Sequence, residues 1–159
     1  MQNWLMARTW QAYEFRVQEA LDRLTGGDFS YCPTEHRVRS ISRYSPQKKA
    51  VAVPLLPRMV FCTVSYPRLE SFDGIRGFDG LVCDDWGIPQ VIPGWQMQEF
   101  MRLVDQLRVL SLKTLERSRK PIKQVKLRSF ADAKAELQRR IKEYVDPETG
   151  EILSIQHVA

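Results

Sequence analysis

Val53-Pro54-Leu55-Leu56-Pro57-Arg58-Met59-Val60-Phe61-Cys62-Thr63-Val64 is the stretch whose reading decides the fold. Two prolines bracket an apolar pair. Each proline locks its own φ and lacks an amide N–H, so the pair leads stiffly into the residues beyond it. Those residues are rich in Val, Phe and Thr, the composition of a strand packed on a core. The stretch predicts a strand over Arg58 to Val64. Alternation puts Met59 and Phe61 on one face and Val60 and Cys62 on the other.

Upstream, Trp4-Leu5-Met6-Ala7-Arg8-Thr9 reads as a short buried strand, with a helix start as the alternative. A helix is predicted over about Gln11 to Leu24, with Tyr13, Val17, Ala20, Leu21 and Leu24 on one face and Gly26-Gly27 ending it. Phe15 falls opposite that stripe, beside Arg16. Phe29 to Pro33 alternates like a strand that Pro33 stops. Arg37 to Tyr44 also alternates, with Arg37, Arg39 and Arg43 on the face of Ile41. Ser45 to Lys49 reads as a turn and Ala50 to Val53 as the return strand. Together they make a basic hairpin. Its cations suit phosphate contact, and on the residues alone a solvated face is the simpler reading.

Downstream, Pro67 to Phe72 suits a short helix. Gly74, Gly77 and Gly80 suit turns before a strand at Leu81-Val82-Cys83. They are not a phosphate loop, which needs a GxxxxGK[ST] lysine between strand and helix. Asp84-Asp85-Trp86-Gly87 reads as a tight turn and Ile88 to Pro93 as a short edge strand. A long helix is expected from about Gly94 to Arg117, with Phe100, Leu103, Val104, Leu107 and Leu110 as its apolar stripe. Arg117 to Lys123 is a basic linker broken by Pro121. A last helix spans about Ser129 to Val145, with Phe130, Leu137, Ile141 and Tyr144 along one side. It can pack on the preceding domain or meet a partner helix. The expected organisation is a domain over 1–117, then a basic linker, helix and short tail over 118–159.

The 159 residues are 43% hydrophobic, enough for a real core, and carry a net charge of +5 from 24 Lys+Arg against 19 Asp+Glu. The basic balance favours an acidic or nucleic-acid partner. Cys32, Cys62 and Cys83 form no CxxC pair, and His36 and His157 are the only histidines, so a zinc site is not expected. The cysteines read as buried thiols in a reducing cytosol. No apolar run approaches the ~20 residues of a membrane span, and no signal segment is visible. These features point to the cytoplasm, with no membrane partner. Catalysis needs a nucleophile, a base and an orienter converging on one place. Neither histidine has such company, and Asp84-Asp85 suits a turn. A binding module is expected, with no cofactor, no metal, no catalytic residues and no small-molecule substrate.

Taken in order, these signals resemble the NusG family of transcription elongation factors, over about residues 3 to 110. The resemblance rests on Trp4-Leu5 in the first strand and on Glu14-Phe15-Arg16-Val17 with Leu21 in the first helix. It rests also on Cys32-Pro33-Thr34-Glu35 and on Pro54 to Phe61. Gly74-Ile75-Arg76-Gly77-Phe78 and Gly87-Ile88-Pro89 add to it. It implies an α/β sandwich of the α+β type, an antiparallel sheet flanked by helices, here with a C-terminal helical extension. It implies binding to the clamp helices of the largest RNA polymerase subunit through an apolar depression, at positions Trp4, Leu5, Leu55, Leu56, Pro57, Arg58, Met59 and Phe61. Nucleic-acid contact falls to Arg16, Arg37, Arg39, Arg43, Lys48 and Lys49. The expected function is modulation of pausing, termination or antitermination. The alternative is a nucleic-acid-binding protein that acts without polymerase. The chain departs from the family pattern in two places. Arg58-Met59 stands where the pattern has Gly-Tyr, and residues 118–159 do not resemble the KOW barrel usual at that place in the family.

Overall fold

The computed structural model describes residues 2–25, 30–63, 69–113, 126–144 and 148–149. The expected helix end at Gly26-Gly27, the linker around Pro121 and the apolar tail after Gly150 lie outside them. The strand predicted from the proline-bracketed stretch is β5 (Met59–Thr63), and all five of its residues are buried. It pairs antiparallel with β1 (Trp4–Thr9), with Leu5 opposite Cys62, Met6 opposite Phe61 and Ala7 opposite Val60. Leu5, Met6 and Ala7 are buried in succession, so β1 is covered on both faces and shows a continuous apolar run.

On the far side of β5 runs β2 (Ser30–Tyr31). Along the other side of β1 lie β6 (Phe78–Leu81) and β7 (Val91–Ile92). A separate antiparallel ribbon pairs β3 (Thr34–Ser40) with β4 (Lys48–Pro54). The Leu55 N–H donates to the Pro33 carbonyl at 2.7 Å, which ties the ribbon's two feet together.

Alternation along β5 sorts the core into two clusters. On one face α1 (Glu14–Thr25) lays Val17 and Leu21 against Leu5, Ala7, Val60 and Cys62. On the other face α2 (Gly94–Lys113) and α3 (Phe130–Glu143) cover Met6, Leu55, Leu56, Met59 and Phe61. The class is therefore α+β, antiparallel sheet flanked by helices, with a C-terminal helix. That helix completes the core of the preceding domain. Ser129 caps it, its side chain accepting from the Asp132 N–H.

Several expected boundaries move. The first helix starts at Glu14, not Gln11, because Ala12 sits at φ 67 in a turn that closes from the Tyr13 N–H to the Trp10 carbonyl. Leu24, assigned to its buried stripe, is exposed. The helix expected at Pro67 to Phe72 is a 3-10 turn over Leu69–Gly74. The strand expected at Leu81 to Cys83 is shifted upstream to Phe78–Leu81, and a small hairpin comes after it, bridged at Cys83 and Pro89. Gly77 has a double reason to be glycine. Its φ is 91, and a Cβ there would lie 2.5 Å from the Tyr13 ring.

The ribbon turn also differs. Ile41, Arg43 and Tyr44 belong to the loop, and Lys48 and Lys49 to β4. The Ile41 N–H donates to the Gln47 carbonyl at 3.1 Å and closes the loop earlier than alternation suggested.

Candidate protein-docking and nucleic-acid interfaces

The apolar positions assigned to polymerase docking are not an open depression. Leu5, Leu55, Leu56, Met59 and Phe61 are all 2% exposed or less. This corrects the expected surface. Leu5 faces the α1 cluster, and the other four face α2 and α3. The causes are α2, which lays Met97, Phe100, Val104 and Leu107 into that cluster, and α3, which adds Phe130, Ala133 and Leu137. The ring centre of Phe61 is 5.1 Å from that of Phe100 and 6.4 Å from that of Phe130. Phe100 and Phe130 are 5.2 Å apart. Of the assigned set only Trp4 and Pro57, half-buried, and Arg58, exposed, reach the surface.

Arg58 has a backbone role. Its φ is 62, the left-handed region that glycine enters freely. Its N–H donates to Glu14 Oε1 at 3.0 Å and its carbonyl accepts from the Thr9 N–H at 3.0 Å. Glu14 is buried, so this residue of the first helix holds the turn into β5.

An ionic cluster joins the foot of the ribbon to α3. Buried Glu35 accepts from Arg37 at 2.6 and 2.9 Å and from Arg140 at 3.3 Å. Arg140 also donates to Glu136 at 3.1 Å, and Arg139 donates to Glu136 at 2.6 and 3.0 Å. The hydrogen bonds from Arg139 outweigh desolvation and hold the Glu136 carboxyl below the ordinary glutamate value. Arg37, expected to meet phosphate, is therefore bound to Glu35 in a mostly covered site.

The other ribbon cations behave differently. Residues 39–50 are all exposed except Ser45, so the ribbon projects as an arm. Arg39, Arg43, Lys48 and Lys49 sit on it, with Arg39 directly opposite Lys49 and Ser40 opposite Lys48. Arg16 is not brought to them. It lies in α1, 5.1 Å over the Tyr13 ring and on the sheet face away from α2, whereas β3 packs on α2. Two exposed aromatic features are not evident in the sequence pattern. Tyr44, at the arm's tip, is 92% exposed. Trp86, beside Ile88, is 87% exposed on a turn in which Asp84 accepts from the Trp86 and Ile88 N–H groups, both at 2.9 Å. The signal that could have found Tyr44 is its place next to Arg43 inside a basic run.

Cys32 and Cys62 are buried, and burial pushes both thiols up to about 12. Cys83, expected to be buried, is exposed because β6 ends before it. Among the described residues no group of three or more His, Cys, Asp or Glu is placed to hold a metal ion. None of the described helices is long and apolar enough to cross a membrane. No protein-family model matches the chain, and no curated protein is significantly similar to it.

Proposed function

We propose that this chain is a cytoplasmic regulator of transcription elongation. It binds RNA polymerase and modulates pausing, termination or antitermination, with no catalytic chemistry of its own. One observation carries the reading. The basic arm springs from the same Pro33–Leu55 junction that delivers Leu55, Leu56 and Met59 to the apolar cluster. A factor that rides a protein while touching the nucleic acid being processed needs both features on one rigid body. The motif order from Trp4 to Pro89 supports the same reading.

Docking on the polymerase clamp helices through this cluster requires α3 to give up its seat, since a helix laid into an apolar groove would occupy the same place. Leu137 is 0% exposed, and Leu137→Ala removes about 2–5 kcal/mol of packing at that seat. The test is capture of purified bacterial core RNA polymerase by the immobilised chain, with circular dichroism to verify folding. The wild type captures polymerase and folded Leu137→Ala captures more. Absence of capture by both refutes the reading. Leu56→Asp is a poor probe, because a carboxylate at a fully buried position tests folding rather than docking.

The second reading, nucleic-acid binding without polymerase, draws on the four exposed arm cations. It predicts binding that needs no polymerase and weakens steeply with salt.

A further inference from the structure

The outward side of α2 carries apolar residues that its own fold does not use. Met97, Phe100, Val104 and Leu107 enter the apolar cluster. The opposite side of the helix presents Trp95, Gln98, Arg102, Asp105, Val109 and Leu112, all of them exposed. Trp95 is 55%, Val109 49% and Leu112 45% exposed. Their spacing alternates three and four residues, the a and d pattern of a helix that meets another helix. The stripe runs about 26 Å along α2 at a helical rise of 1.5 Å per residue.

The order of residues along the stripe decides the partner. Trp95 and Gln98 precede Arg102, and Val109 and Leu112 follow Asp105. A two-fold axis crossing α2 between residues 103 and 104 sets Trp95 opposite Leu112 of a second copy. The same axis sets Gln98 opposite Val109 and Arg102 opposite Asp105. Every a position then faces a d position, and two Arg–Asp pairs sit at the centre between apolar ends. A parallel pairing would set Arg102 on Arg102 and Asp105 on Asp105, and like charges so placed repel. The stripe is therefore complementary to itself in one direction only, which is what a two-fold interface requires. Within one copy Asp105 lies 3.8 Å from the exposed Arg108, a loose surface pair that is worth little.

We propose that this chain forms a two-fold dimer through antiparallel contact of α2 with α2 of a second copy. Trp95 packs against Leu112 at both ends, and Arg102 pairs with Asp105 across the axis. The surface lies on the far side of α2 from the apolar cluster. The inference therefore goes beyond the polymerase reading and needs neither polymerase nor nucleic acid. A single helix pair is a small interface, which places the dimer in the micromolar range.

The test is sedimentation velocity of the nuclease-treated full chain from about 1 to 200 µM. Wild type passes from monomer to dimer across that range. Arg102→Glu alone and Asp105→Arg alone each stay monomeric, because each sets like charges opposite one another twice. An equimolar mixture of the two variants dimerises, since every pair across that mixed interface is attractive. Trp95→Ala weakens dimerisation about ten-fold or more. All three positions are exposed, and circular dichroism verifies that each variant is folded. A wild type that stays monomeric throughout overturns the proposal and leaves the stripe to a different protein. So does Arg102→Glu dimerising as wild type does, which would put the contact elsewhere, or a mixture that remains monomeric.

Discussion

Arg58→Gly should make this protein more stable, although it removes a long side chain from the motif that leads into β5. The residue sits at φ 62. A non-glycine residue in the left-handed region carries about 1–2 kcal/mol of clash between Cβ and its own backbone. Glycine removes that cost. It also frees the unfolded chain, which takes back about 0.4–1 kcal/mol. The side chain is exposed, so little packing is lost. The two backbone bonds at this residue, to Glu14 and from Thr9, need no side chain and persist. The net gain is roughly 0.5–1 kcal/mol, a rise of about 1–4 °C in the midpoint for a chain of this size. Calorimetry or urea titration of a series separates the causes. Arg58→Ala keeps the Cβ and should gain nothing, Arg58→Asn should fall between, and Arg58→Val should lose stability because a β-branched residue fits this region worst. If alanine gained as much as glycine, the benefit would come from deleting the guanidinium, and the backbone account would be wrong.

Acid stability depends on Glu136. Its carboxyl is held below the ordinary value, chiefly by Arg139, so the unfolded chain takes up that proton more readily than the folded one. The stabilisation is present above the unfolded value and is lost as pH falls through the folded one. Urea midpoints between about pH 5 and 3 should therefore fall more steeply for wild type than for Glu136→Gln, and parallel profiles would contradict this. The thiols make a separate forecast. At pH 8 a disulfide reagent should titrate Cys83 at once and reach Cys32 and Cys62 only in denaturant, because burial keeps both as unreactive thiols near 12. Immediate release of three equivalents would show that the α1 cluster is not closed.

Short-range signals were legible. Pro54 to Phe61 announced β5 and its two faces, and both faces are filled as alternation requires. The last helix was expected from about Ser129, and α3 starts one residue beyond it, with Ser129 as its cap. The hidden part depends on chain segments distant in sequence. Nothing local in Leu55 or Leu56 says whether solvent, a partner or α3 covers them, since an apolar side chain serves all three. Arg37 read as a free cation because Glu35, two residues away on the same strand face, and Arg140, far along the chain, converge only in the fold. The arm's loop was misplaced for a related reason. Alternation continues through Ile41 and Arg43 in the sequence, while the ladder stops at Ser40.

The forces that seat α3 are of two kinds, and they do different work. Phe130 and Leu137 are 7% and 0% exposed, and burying side chains of this size is worth about 1.5–3 kcal/mol each. The ionic cluster adds little net attraction. Glu35, Glu136 and Arg140 are each under 10% exposed, and desolvating such ions takes up most of the free energy their pairing returns. Apolar packing therefore holds the helix. Lifting α3 away takes Arg140 off Glu35. Glu35 keeps Arg37, and Glu136 leaves with Arg139 and Arg140 on its own helix, so the cluster divides into pairs that each remain satisfied. The ionic cluster therefore gives departure little resistance. The apolar seat is the force that opposes departure, and under the proposed docking a polymerase helix with a comparable apolar stripe would supply its replacement.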